Sequence, residues 1–154
     1  MSSYINFFIR KDINEEPYFI PLGSFSRSSA VYQAVTSCPF ERIRAMKFEE
    51  LNSTVNDLCD SRRKYEECIK NAQNKIVTII PSFNNSVQEK MEGIDEQERY
   101  IDDINEEISD IQFAIGYFSC LQEIVFDNEN YSSSKDTIIY CGIDISDPTK
   151  ENMI

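Results

Sequence analysis

The chain contains no histidine. That removes Ser-His-Asp and Cys-His triads, H-E-x-x-H zinc sites and the Glu-x-x-His ligands of di-iron bundles. Glycine is nearly as scarce: Gly23, Gly93, Gly116 and Gly142 are the only four, and none belongs to a loop that cradles phosphate. Cysteine is present but unorganised. Cys38, Cys59, Cys68, Cys120 and Cys141 are odd in number and form no C-x-x-C, so they read as packing thiols of a reducing compartment. No apolar run is long enough to span a bilayer, and residues 1–10 lack the basic-then-apolar order of a signal peptide. Cytoplasmic location without membrane attachment is the expectation. Asp127 to Ile138 has the acidity of a calcium loop, but it lacks glycine at the sixth position and glutamate at the twelfth, which excludes an EF-hand. Paired carboxylates do catalyse glycoside hydrolysis, but only across a cleft. The chain is therefore read as non-enzymatic, with no cofactor and no metal.

What remains is a chain of 154 residues, 41% hydrophobic and 27% charged, long enough for one domain with a real core. Residues 4–10 are rich in aromatic and β-branched types and read as a strand. Tyr18–Leu22 reads as a second, with Pro21 marking a strand end or edge. A short helix is expected at about Ser29 to Thr36, capped by hydroxyls. Phe40–Met46 fits extended and helical structure equally. After a polar loop at Asp127–Asp136, Thr137–Asp144 reads as a third strand, and Asp147 and Pro148 fit the cap and first position of a final helical turn. The fold class is α+β: a base (residues 1–46 and 127–154) holding a small three-stranded antiparallel sheet from both chain ends. The aromatic residues Tyr4, Phe7, Phe8, Tyr18, Phe19 and Tyr140 would fill its core.

Residues 47–126 carry a different pattern. Phe48, Leu51, Val55, Leu58, Arg62, Tyr65, Ile69, Ala72, Ile76 and Ile79 alternate steps of three and four until Pro81, which is coiled-coil spacing. Ser86 and Glu89 form a capping box. Val87, Met91, Ile94, Ile101, Ile104, Ile108, Ile111, Ile115 and Phe118 then trace a second stripe. The connection is short, so the two helices pair antiparallel as a long hairpin arm. Folding about Phe83–Asn84 pairs positions that sum to about 167, placing Ile79 near Val87, Ile76 near Met91, and Arg62 beside Asp102, Asn105 and Glu106. Arg62, Arg63 and Lys64 lie within pairing distance of Asp57, Asp60, Glu66 and Glu67, so intra-arm ion pairs account for that basic cluster better than nucleic-acid binding does.

Net charge is −12 and unevenly placed: +1 over residues 1–46, zero over 47–86, −9 over 87–126 and −4 over 127–154. Ten carboxylates between Glu89 and Asp110 span about 33 Å of helix, one per ~3.3 Å against ~3.4 Å per phosphate on a DNA strand. Such a run is commonly just a solvated face. This one, however, forgoes most of the mixed-sign i,i+4 pairing that steadies an exposed helix. The candidate partner-binding residues are Glu92, Asp95, Glu96, Asp102, Asp103, Glu106, Glu107 and Asp110.

In size, acidity, lack of catalytic motifs and an Asn/Ile-rich composition with few glycines, the chain resembles small acidic proteins of bacteriophages and mobile elements, anti-CRISPR proteins among them. That resemblance implies a protein-binding inhibitor. Its partner would be a basic, nucleic-acid-handling enzyme, occluded by an acidic arm that acts as a DNA mimic; the chain itself would bind no nucleic acid. The rival reading is a coiled-coil structural or assembly protein that associates with itself, and a homodimer is compatible with either.

Overall fold

The computed structural model describes residues 3–130 and 138–154. Strand β1 (Tyr4–Ile13) turns directly into β2 (Glu16–Ser26). The turn is two residues long, because Ile13 and Glu16 are paired, and both turn residues are left-handed, Asn14 at φ 53° and Glu15 at φ 68°. That geometry matches the twist of a tight hairpin. A bulge between Phe7 and Phe8 sits opposite Pro21–Gly23, where the missing N–H of Pro21 costs no ladder bond. The short helix α1 (Ala30–Ala34) follows, with the Ser29 hydroxyl accepting from Val31 N at 3.1 Å.

The sheet has four antiparallel strands where three were expected. Arg44–Met46 forms β3, a short edge strand paired with β4 (Ile138–Ile143), and the order is β2-β1-β4-β3. The ambiguous segment thus resolves as extended, because Arg44 and Met46 have a partner, Cys141 and Ile139, that is remote in sequence. The strand at Tyr18–Leu22 is likewise longer than its apolar core, since the whole of Glu16–Ser26 pairs with β1. As the position of Pro21 implied, β2 is an edge strand.

Both faces of the sheet are covered. Ile5, Phe7, Ile139 and Cys141 point to the main core with Val31, Leu51, Phe118 and Leu121, while Phe8 and Tyr140 point away to meet Ile43. Phe7 is ringed edge-on by Phe25, Tyr117 and Phe118 at 5.3–6.1 Å. Of the sheet aromatics expected inside, Tyr4 and Tyr18 are exposed instead. Gly142 is needed for close approach: a methyl there would run into the Arg42 carbonyl. The chain ends in a 3-10 turn, Lys150–Asn152. It is held by the Asn152 amide oxygen accepting from Thr149 N at 2.8 Å, so the turn begins later than an Asp147 cap would place it, and Pro148 is buried before it.

The arm is the expected antiparallel hairpin, α2 (Phe48–Ile79) against α3 (Val87–Asn130). Their 32 and 44 residues correspond to about 48 and 66 Å. Glu89 N donates to Ser86 Oγ at 3.1 Å, one half of the expected box. Residues 127–130 continue α3 where a loop was expected, and the rest of that loop, with Thr137, lies outside the described residues.

The register differs from the expected fold-back. Ile79 lies over Gly93, where a methyl would stand 3.3 Å from Ile79 Cδ1, and Gln122 Nε2 donates to Asn52 Oδ1 at 3.2 Å. Paired positions therefore sum to 172–174 at these contacts. The bare backbone at Gly93 leaves room for the Ile79 side chain at this offset. Val87 and Met91 consequently overhang the end of α2, 74% and 61% exposed, instead of packing on Ile79 and Ile76.

Candidate functional site

The eight candidate carboxylates divide into seven and one. Glu92, Asp95, Glu96, Asp102, Asp103, Glu106 and Glu107 are all exposed on α3. The ion pairs of the described residues lie elsewhere: Arg10–Asp12, Arg44–Glu50, Arg62–Glu66 and Arg63–Asp60. The seven have few polar contacts. Glu92 Oε1 accepts from Gln88 Nε2 at 3.3 Å, and Arg99 turns to the Asp95 backbone carbonyl at 3.4 Å, leaving the Asp95 carboxylate to solvent. Helical spacing explains the ridge. The seam residues Ile101, Ile104, Ile108 and Ile111 face α2, and the carboxylates occupy the positions between them.

Asp110 is different. It is half-buried where α3 meets the base, and its Oδ2 accepts from Ala30 N at 3.0 Å. Ala30 is the first residue of α1, so Asp110 caps a neighbouring helix with a charge-assisted bond. That bond gives Asp110 a structural role that the seven ridge carboxylates lack. A cap donated from 80 residues away has no local signature, and only the assembled fold reveals it.

Arg62 also departs from its expected role. Its ion pair is with Glu66 on its own helix, at 3.8 Å, and its buried Nε has no hydrogen-bond partner among the described residues. It does not reach Asp102 or Glu106, because the register offset moves those carboxylates along the arm. The pairing of Arg63 with Asp60 at 2.7 Å agrees with the intra-arm reading of the basic cluster.

Below the ridge a groove of about 460 Å³ opens between α1, α2 and α3, with Asp57, Glu107 and Asp110 on its walls and Leu58, Tyr65 and Ile111 at its base. No group of three or more potential metal ligands is assembled among the described residues. In the core, hydrogen bonding from the Cys141 thiol holds the Cys38 thiol below its ordinary pKa, against the effect of burial and with help from the Arg44 guanidinium. Arg44 itself is fixed by Glu50 at 2.6 Å and by the Thr36 carbonyl at 2.8 Å. Burial among aromatic rings pushes the pKa of the Tyr117 hydroxyl far above the usual range, and its oxygen has no hydrogen-bond partner among the described residues.

The feature that reading the sequence missed is the tip of the arm. Val77, Ile80, Phe83, Val87 and Met91 are all more than half exposed there. The available signal was Gly93, the one glycine in the distal part of the arm, over which the Ile79 side chain packs. No helix among the described residues is long and apolar enough to cross a membrane. Comparison with protein-family models, curated proteins and solved structures finds no match.

Proposed function

We propose that the chain is a non-enzymatic binding protein whose acidic arm occupies the basic, nucleic-acid-binding surface of a partner, as an anti-CRISPR or other anti-defence inhibitor does. The observation that carries this reading is the ridge Glu92–Glu107: eight exposed carboxylates, Glu98 with the seven candidates, that enter none of the ion pairs of the described residues along about 22 Å of helix. Unpaired surface charge of one sign steers an oppositely charged partner and raises the rate of encounter. Preorganisation on a helix means the charges need not be gathered on binding. The partner is a basic protein that handles nucleic acid, and inhibition is by occlusion, the ridge lying where phosphates otherwise would.

The test is capture of nucleic-acid-binding proteins from host lysate by the wild type and by the triple variant Glu96→Lys, Asp103→Lys, Glu106→Lys, at low and moderate salt. A captured protein is then assayed for loss of labelled duplex on addition of the chain. The expected result is capture that weakens with salt and is lost in the variant, with duplex released only by the wild type. Equal capture by both chains would sink the ridge reading.

A further inference from the structure

The arm ends in a region that is apolar and free of acid. Residues 68–88 contain Lys70 and Lys75 and no Asp or Glu, in a chain of net charge −12. The overhang leaves Val77, Ile80, Phe83, Val87 and Met91 between 58% and 101% exposed. Val77 and Ile80 are three residues apart and Val87 and Met91 four apart, so each pair shares a helix face, and Phe83 stands at the bend between them. Five such side chains present on the order of 500 Å² of apolar surface, the size of the largest patch an ordinary monomer shows, and such a patch is often functional.

We infer that the tip is a self-association surface: two copies of the chain meet tip to tip through Val77, Ile80, Phe83, Val87 and Met91, about a twofold axis, with their bases pointing apart. The area selects a second copy. Burying on the order of 500 Å² on each side gives roughly 1,000 Å² in all, the threshold for a specific though weak and reversible interface. An isologous contact needs only that the patch complement itself, which an apolar knob beside an apolar overhang does. Two chains of charge −12 repel wherever their acidic surfaces approach within the Debye length of about 8 Å. At the tip that repulsion is reduced, because the run Asp102–Glu107 stands roughly 22–30 Å back along α3, and Glu89 and Glu92 at the rim have Lys90 between them.

This inference does not rest on the acidic-ridge reading, and the two respond to salt with opposite sign. Salt weakens capture of a basic partner. It strengthens association of like-charged copies, whose repulsion it screens while the apolar contact persists. The experiment is sedimentation velocity over a wide concentration range, at low and high salt. Compared are the wild type, the tip variant Val77→Ser, Phe83→Ser, Met91→Ser, and the ridge variant Glu96→Lys, Asp103→Lys, Glu106→Lys. The expected wild-type mass rises from 17.9 kDa toward twice that value with concentration, and does so earlier at high salt. The tip variant moves the midpoint at least tenfold higher, and the ridge variant still associates. Phe83→Ser alone, at a side chain 101% exposed, carries the same prediction if the triple variant loses helicity. A mass of 17.9 kDa throughout, or wild-type association by the tip variants, overturns the proposal. So does a chain that stays monomeric yet floats with anionic vesicles, which would assign the tip to a lipid surface.

Discussion

Replacing Asp110 by alanine separates a carboxylate that holds the fold from its neighbours that only line it. Asp110 Oδ2 accepts from Ala30 N at 3.0 Å, and Ser29 Oγ accepts from Val31 N beside it. The two bonds seat a five-residue helix whose Val31 is fully buried in the main core. Loss of a capping acceptor costs about 1 kcal/mol, within a range of ~0.5–2 kcal/mol, and this one is charged and half-buried, which favours the upper part of that range. For a chain of this length each kcal/mol lowers Tm by roughly 2–4 °C. Asp110→Asn retains an oxygen at the same place and should lose less than half as much. Glu106→Gln, by contrast, removes like-charge neighbours at Asp102 and Asp103 and breaks no bond, so it should leave stability within about 0.5 kcal/mol or raise it slightly. Thermal melts followed by far-ultraviolet circular dichroism compare the three directly. If Asp110→Ala melted with the wild type, or no earlier than Glu106→Gln, the cap would contribute nothing and Asp110 would rejoin the ridge.

Two further outcomes follow from the core. Tyr117→Phe deletes a buried hydroxyl that has no hydrogen-bond partner among the described residues but keeps the ring packed on Phe7, Phe25 and Phe118. It should therefore be neutral or stabilising by up to about 1 kcal/mol, and a Tm below that of the wild type would show that the hydroxyl is satisfied after all. The lowered pKa of Cys38 means that its thiolate survives to lower pH than that of a free cysteine. Its iodoacetamide labelling, followed by peptide mass, should rise at a lower pH than that of free cysteine in the same solution; coincident profiles would remove the influence of Cys141 and Arg44.

The hairpin was legible because its signal is periodic and long. Phe48 to Ile79 repeats every three or four residues without a break, Pro81 ends it, and the structure starts and stops α2 at those residues. The strands were legible where β-branched and aromatic residues cluster, as in β1 and β4. They were not where pairing is imposed from a distance: Arg44–Met46 has no strand signature of its own and becomes β3 only because the far end of the chain lies beside it. Among the candidate residues, composition identified the acidic ridge, but spacing cannot tell Asp110 from Asp103. Both are carboxylates seven residues apart on one helix, and they differ only in whether another helix starts beside them. The register was misjudged for a similar reason. The fold-back point was placed by the turn residues, whereas the contacts of Ile79 with Gly93 and of Asn52 with Gln122 put the pairing five to seven positions further along.

The strand order β2-β1-β4-β3 also has a consequence for the order of events during synthesis. Helices α2 and α3 leave the ribosome between β3 and β4, and each helix pairs with its sequence neighbour, the kind of local contact that forms quickly. Strands β1 and β2 emerge first and can close their two-residue turn at once, but the inner edge of β1 has no partner until Ile138–Ile143 appears. Until then the nascent chain carries an open, apolar strand edge, Ile5 to Ile9, of the sort that invites pairing between chains. Arrival of β4, more than 120 residues after β1, is the step that hides it.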